Sequence, residues 1–206
     1  MDIHERIKLW ERQDGLSLFD NLGLANDSNI LDYGCGFGHY SVLASRAICR
    51  GRVYAVDINK GCLNHINEVI KLEELNNIEL KMGNKDYSLD FEDDYFDMIM
   101  YYDILHGNGF HRFTLLEEAQ RTLKKNGILS ILPFHMSNFT DKDGKKKKYS
   151  YEKLVKEVEA YGFQVITSLS KIGIHFEKYH SPYYISKGGI TFDDLEKAEI
   201  LTFRKV

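Results

Sequence analysis

The sequence predicts an α/β fold: a doubly wound sheet of mostly parallel strands with helices on both faces. Short apolar, β-branched segments alternate along the chain with amphipathic segments of helical period, as βαβ units require. A glycine-rich turn, "LDYGCGFGHYS" at positions 31–41, follows the first apolar segment and precedes a helix-like run. Open α/β sheets bind their ligands at this kind of turn, beside the first strand.

Each element has its own signal in the sequence. Apolar residues at helical spacing predict helices from Ile3 to Gln13 and from Leu16 to Leu22, within an N-terminal helical cap over residues 1–27. Strands are expected at 29–34, 52–58, 78–83, 95–105, 127–134, 163–170 and 198–206, and further helices at 40–48, 60–75, 112–125 and 149–162. We expect residues 1–206 to form a single domain.

Composition limits the classes of function. With 206 residues, of which 43% are hydrophobic, the chain can bury a sizeable core. A formal net charge of −4 gives no general attraction to nucleic acid. Three cysteines without a CxxC pair argue against a disulfide framework or a structural zinc site. No segment resembles a signal peptide or a membrane span. We therefore expect a cytoplasmic protein, monomeric or homodimeric, that binds neither membrane nor nucleic acid.

The glycine turn favours a cofactor without phosphate. Gly34, Gly36 and Gly38 stand at alternate positions, and the dinucleotide pattern GxGxxG fails in both registers, ending at His39 or Ser41. Asp32 at the end of the strand would repel a pyrophosphate but attract an ammonium group. S-adenosylmethionine, which carries an ammonium and a sulfonium, suits this turn better than NAD.

Asp57 is expected to complete the binding of an adenosine group. It ends the second strand about 20 residues after the glycine turn, where a carboxylate can accept hydrogen bonds from both ribose hydroxyls. NAD and S-adenosylmethionine share this feature, so Asp57 does not decide between them. The alternative is that Asp57 caps the helix that begins near Lys60.

Four successive segments carry a resemblance to a known family. They are "ILDYGCGFGHYSVLASR", "VYAVDIN", "FEDDYFDMIMYYDILHG" and "EEAQRTLKKNGILSI". In order and spacing they resemble the motifs of class I S-adenosylmethionine-dependent methyltransferases, over roughly residues 28 to 135, and most closely the small-molecule branch similar to the ubiquinone and menaquinone biosynthesis enzymes. The resemblance implies a Rossmann-like sheet of seven strands whose last strand is antiparallel.

The resemblance also implies a set of cofactor-binding residues. Asp32 and the three glycines would hold the methionine part, and Asp57 the ribose. Apart from the resemblance, we expect Ile58, next to Asp57, and Tyr102 to bind the cofactor, and Tyr101 or Tyr102 to line the pocket floor. The family usually has Gly-Asp after the third strand, where the acid reaches the adenine amine. This chain has "GNKDYS" there, so either Asn84 or Asp86 would take that role; Asp86 is favoured because a charged acceptor is stronger.

The acceptor side of the pocket is less well defined by sequence. His106 follows the fourth strand at a position where family members often have histidine, and it is the candidate general base. Its alternative is a structural histidine at a strand–helix junction. Segment 172–189, rich in aromatics and histidines, is expected to form a lid. No metal ligand is predicted, because only Asp103 is an obvious carboxylate beyond that strand.

The leading function is thus methyl transfer to a small-molecule acceptor. A protein that binds S-adenosylmethionine without catalysis is the alternative from another class. An NAD(P)-dependent oxidoreductase is disfavoured by Asp32 and by the missing third glycine of the dinucleotide pattern.

Overall fold

The structure is a computed structural model that describes residues 3–106, 109–176 and 195–206. Seven strands form one sheet in the order β3-β2-β1-β4-β5-β7-β6. Their bounds are β1 Asn29–Tyr33, β2 Arg52–Asp57, β3 Ile78–Met82, β4 Phe96–Tyr102, β5 Leu123–Leu132, β6 Phe163–Phe176 and β7 Leu195–Lys205. Strands β1 to β5 pair in parallel, and β7 is antiparallel to both β5 and β6. The predicted sheet is confirmed.

Helices cover both faces of this sheet, as predicted. They are α1 Ile3–Trp10, α2 Leu16–Asp20, α3 His39–Ala47, α4 Lys60–Leu72, α5 Gly109–Thr122 and α6 Tyr151–Glu159. Consecutive residues of β1 point to opposite sides, as strand geometry requires. Ile30 packs in the same core cluster as Leu43 of α3, whereas Leu31 packs with Leu115 of α5 and Leu154 of α6. The strand order reverses between β1 and β4, which places a topological switch point at the glycine turn.

Several element boundaries differ from the predicted ones. A π-helical turn, Glu11–Gly15, joins α1 to α2 where the sequence suggested two separate helices. Helix α5 ends at Thr122 instead of position 125, because Leu123 already pairs with Phe96 of β4. Among the described residues, no helix combines the length and the apolar character needed to cross a membrane.

The predicted lid is only partly described. Strand β6 was expected to end at position 170 but continues to Phe176, and its residues 173–176 pair with β7. Residues 177–189 of the predicted lid lie outside the described residues. At the other end of the chain, the N-terminal helices pack onto the sheet through buried Ile7, Trp10 and Leu18.

Candidate functional site

A cavity of about 410 Å³ lies at the carboxyl ends of β1, β2 and β4, next to the switch point. Its volume is in the range of small-molecule sites, roughly 300–1,000 Å³. The lining residues come from the glycine turn, the end of β2, the loop after β3, the end of β4 and the adjoining parts of β5 and β6. They are Asp32, Tyr33, Gly34, Cys35, Gly36, Phe37, His39, Tyr40, Asp57, Ile58, Asn59, Cys62, Tyr87, Tyr102, Asp103, Ile104, His106, Leu132 and Ile174.

The three glycines of the turn are needed for different structural reasons. All have left-handed backbones, with φ of 79° at Gly34, 53° at Gly36 and 79° at Gly38. A Cβ at Gly34 would lie 2.3 Å from Ile104, and one at Gly38 would lie 2.7 Å from Ile66. A Cβ at Gly36 would meet nothing within 4 Å. Gly34 and Gly36 line the cavity, whereas Gly38 lies outside its lining and begins α3. Gly36 therefore leaves the room that a ligand needs to approach the backbone.

Asp57 is oriented by the backbone on both of its oxygens. The Gly36 N–H donates to Oδ2 at 2.9 Å, and the Asn59 N–H donates to Oδ1 at 2.8 Å. Each carboxylate oxygen keeps a further lone pair for a ligand hydroxyl. Burial raises the pKa of Asp57, and these N–H bonds oppose that rise. Asn59, and not Asp57, caps α4, because its side chain accepts the Gly61 N–H. The helix-cap interpretation of Asp57 is therefore wrong.

Asp32 is buried, and its carboxyl group accepts a hydrogen bond from a neutral hydroxyl group. Its residue is 3% exposed, and Ser41 Oγ donates to its Oδ2 at 2.5 Å. Burial raises the pKa of Asp32 to about 7; the Ser41 hydrogen bonds lower it and the charge of Asp57 adds to the rise. A cation that enters the cavity would stabilise the ionised form of such a carboxyl group and lower its pKa.

Tyr102 and Ile58, both expected to bind the cofactor, line the cavity, and their contact with the cofactor stays a prediction. Tyr102 is almost buried, its hydroxyl pairs with Ser130 Oγ at 2.8 Å, and its ring contacts Tyr40 edge-on at 4.4 Å. Ile58 is 58% exposed, so it offers an apolar surface to the opening. The Tyr40 hydroxyl donates to the carbonyl of Ile174 at 2.9 Å and accepts its N–H at 2.7 Å. Tyr40 thereby joins the glycine turn to β6, a contact that sequence reasoning missed.

The two candidates for adenine recognition lie outside the lining of the cavity. Asn84 donates to the carbonyl and to the hydroxyl of Ser88 at 3.3 and 3.2 Å. The Asp86 Oδ1 accepts the N–H and the hydroxyl of the same serine at 3.1 and 2.8 Å. Tyr87, the residue after Asp86, lines the cavity instead and stacks on His111 at 3.9 Å. The assignment of either residue to adenine stays a prediction.

His106 lies in a cluster with two further polar residues. Its Nδ1 is 3.3 Å from Oδ1 of Asp103, and His135 Nδ1 is 3.0 and 3.1 Å from the two oxygens of the same carboxylate. Asp103 and His106 line the cavity. Asp103 and His135 have left-handed backbones, with φ of 55° and 48°. Non-glycine residues in this region are uncommon and concentrate at functional sites. His135 was not singled out from the sequence.

The two cysteines in the wall are protonated thiols near neutral pH. Burial raises the pKa of Cys35 well above its ordinary value and that of Cys62 to about 12. Because the thiolate is the reactive form, neither is prepared to act as a nucleophile. The candidate acid–base groups in the cavity lining thus include its carboxylates and two histidines, His39 and His106.

The fold and this cavity define an α/β protein that binds a nucleoside-containing ligand at the switch point of its sheet. The family model described as "Methyltransferase domain" matches residues 24–182. Since the match covers more than half of the chain, the protein belongs to this methyltransferase domain family.

Solved structures share the same fold. A SAM-dependent methyltransferase from Aquifex aeolicus is 19% identical, with a TM-score of 0.68 and full coverage of both chains (100% and 100%). Geranyl diphosphate methyltransferase in complex with SAM is 13% identical, with a TM-score of 0.64, over 93% of this chain and 84% of that one. A 4+2 cyclase is 16% identical, with a TM-score of 0.61, over 92% of this chain and 80% of that one. These likenesses show the fold, and the cyclase shows that the fold also serves other chemistry.

Proposed function

We propose that the protein transfers a methyl group from S-adenosylmethionine to a small-molecule acceptor. The observation that carries the proposal is the joint placement of Asp32, Gly36 and Asp57 in one cavity. Two carboxylates and an open glycine suit a ligand with cationic groups and ribose hydroxyls and no phosphate. The family membership and the neighbours named as SAM-dependent support the same cofactor.

Asp32 is proposed to receive the ammonium group of the methionine part. Its buried carboxyl, with a pKa near 7, lacks the stabilisation that a cation would supply. Asp57 is proposed to accept the ribose hydroxyls, because two backbone N–H groups fix its carboxylate in place and leave lone pairs available. A dinucleotide would instead bring its pyrophosphate close to Asp32, which argues against the oxidoreductase alternative.

The acceptor is proposed to lie beside the residues that follow β4. Tyr102, Asp103, Ile104 and His106 belong to the same cavity wall as the glycine turn. Bound S-adenosylmethionine supplies an electrophilic methyl group, so the protein has mainly to position the acceptor and exclude water. His106 is the residue we propose to contact the acceptor.

The test compares His106→Ala with the wild type after a screen of small phenols, quinols, amines and thiols. We expect affinity for S-adenosylhomocysteine to stay nearly unchanged and turnover to fall by about a hundredfold. His65→Ala is the matched control, since His65 is an exposed histidine on α4 outside the cavity lining. Equal turnover of the His106 variant and the wild type would remove His106 from the acceptor site.

Binding of S-adenosylhomocysteine without transfer to any acceptor would favour the non-catalytic alternative. The ubiquinone- and menaquinone-like branch, the cytoplasmic location and the monomeric or homodimeric state stay predictions.

A further inference from the structure

The cluster of Asp103, His106 and His135 lies where two neighbouring strands end. Asp103 follows β4, and its backbone N–H donates to the carbonyl of Leu132, the last residue of β5, at 3.0 Å. That hydrogen bond brings the start of the β5–α6 connection, which carries His135, against the β4–α5 connection. The three side chains are 15%, 17% and 16% exposed, so they are mostly shielded from water but remain reachable.

The distances within the cluster match the spacing of ligand atoms around one metal ion. Bonds from a divalent transition metal to imidazole nitrogen and carboxylate oxygen are about 2.0–2.2 Å long. Two ligand atoms at that bond length are roughly 3.0 Å apart in octahedral and roughly 3.4 Å apart in tetrahedral geometry. The two imidazole nitrogens lie 3.0 and 3.3 Å from the same oxygen of Asp103. One ligand atom from each of the three residues lies within 4.8 Å of the others.

The backbone supports the same interpretation. Asp103 and His135 both have left-handed φ values, although neither is glycine. The two carry the pair of side chains that approach most closely in the cluster. Such conformations persist where the surrounding structure holds a side chain in a required direction, which is typical of ligand sites.

We propose that Asp103, His106 and His135 bind one divalent transition-metal ion, with Zn²⁺ as the reference ion. Two histidines and one carboxylate are a known donor set that leaves positions open for exogenous ligands. Because Asp103 and His106 also line the main cavity, an open position would face it. One carboxylate and two neutral imidazoles leave a net positive charge on the ion, which suits an oxygen donor such as a phenol hydroxyl or a carboxylate.

The ion would therefore hold the acceptor through such an oxygen. This part of the inference rests on the proposed methyl transfer, whereas metal binding itself does not. With the ion bound, His106 would position the acceptor through the ion, in place of the direct contact proposed above.

The test is calorimetric titration of the metal-free full chain with Zn²⁺, with Co²⁺ absorption as a second readout. We expect one ion per chain at micromolar or tighter affinity, and a loss of at least roughly 10- to 100-fold in His135→Asn and Asp103→Asn. Asparagine tolerates the left-handed backbone of both positions, so these variants keep the local conformation. Unchanged far-UV circular dichroism and cooperative urea unfolding would show that they are folded. His65→Ala is the control and should bind Zn²⁺ like the wild type.

Absence of Zn²⁺ binding in the wild type, or binding that both asparagine variants keep, would overturn the metal site and leave a hydrogen-bonded cluster. If the ion binds but a chelator that removes it leaves turnover unchanged, its role toward the acceptor is wrong. If the ion binds and no acceptor is methylated, the proposed function fails while the metal site stands.

Discussion

Replacement of Asp32 by asparagine should stabilise the empty protein at neutral pH and weaken its cofactor site. Asp32 is 3% exposed and is held by Ser41, so the isosteric amide can occupy the same space and still accept the Ser41 hydrogen bond. The substitution removes only the ionisation. Its effect on stability is thus a measure of what it costs to keep a carboxyl buried at this position.

The magnitude follows from the pKa of Asp32, which burial raises from 3.8 to about 7. In the unfolded chain the carboxyl ionises above pH 3.8, whereas in the folded protein it stays protonated until about pH 7. The contribution of Asp32 to the free energy of unfolding therefore falls as the pH rises from 4 to 7 and levels off above it. Each unit of difference between the folded and unfolded pKa values corresponds to about 1.36 kcal/mol, so the total loss of unfolding free energy is on the order of 4 kcal/mol. Asparagine avoids this loss.

The assay is urea unfolding at pH 4 and pH 8, followed by the fluorescence of Trp10, the single tryptophan of the chain, which is 4% exposed. On going from pH 4 to pH 8, the free energy of unfolding of Asp32→Asn should rise relative to that of the wild type by on the order of 4 kcal/mol. Asp20→Asn, at an exposed aspartate, should show no such shift. Parallel pH dependence of Asp32→Asn and the wild type would refute the reasoning.

Other substitutions test the packing that positions the site. Arg112→Met should lower the free energy of unfolding, measured in urea, by about 3–5 kcal/mol. Arg112 is 1% exposed, and its loss leaves Glu157 without its ion-pair partner at 2.6 Å. Arg52→Met, at an exposed arginine, is the control and should lower it by less than about 1 kcal/mol. Gly38→Ala should cost more than Gly23→Ala, since both backbones are left-handed but only the Cβ at Gly38 meets a side chain, at 2.7 Å. Equal costs within either pair would contradict this account of the packing.

The local sequence was sufficient to predict which residues lie at the cavity where those residues are close together along the chain. The glycine turn and Asp57 could be predicted because a strand followed by a tight turn and a helix fixes where their groups lie. Ile58 ends the predicted second strand, and Tyr102 lies near the end of the predicted fourth strand; both line the cavity.

The sequence alone could not predict the site where a polar side chain can bind either a ligand or a neighbouring residue. Asn84 and Asp86 have the chemistry to recognise adenine, yet both side chains bind Ser88. The sequence does not show which bond a short polar side chain makes, since bonds to its own backbone neighbours compete with all others.

The cluster of Asp103, His106 and His135 was not predicted, because His135 is distant along the chain from the other two residues. His135 lies 32 residues after Asp103, and only the pairing of β4 with β5 brings them together. A signal was available, since Asp103 lies near the end of the predicted fourth strand and His135 directly follows the predicted fifth, and parallel strands have their carboxyl ends at one edge of the sheet.

Titration calorimetry with S-adenosylhomocysteine, on the wild type and on Asp57→Ala, tests the central claim most directly. We expect one site per chain in the wild type, no detectable binding of NAD or NADP, and a loss of about 2–3 kcal/mol in the variant, because two ribose hydroxyls lose a charged acceptor. That loss corresponds to roughly 30- to 150-fold in Kd. Wild-type affinity in Asp57→Ala, or binding of NAD in place of S-adenosylhomocysteine, would contradict the account.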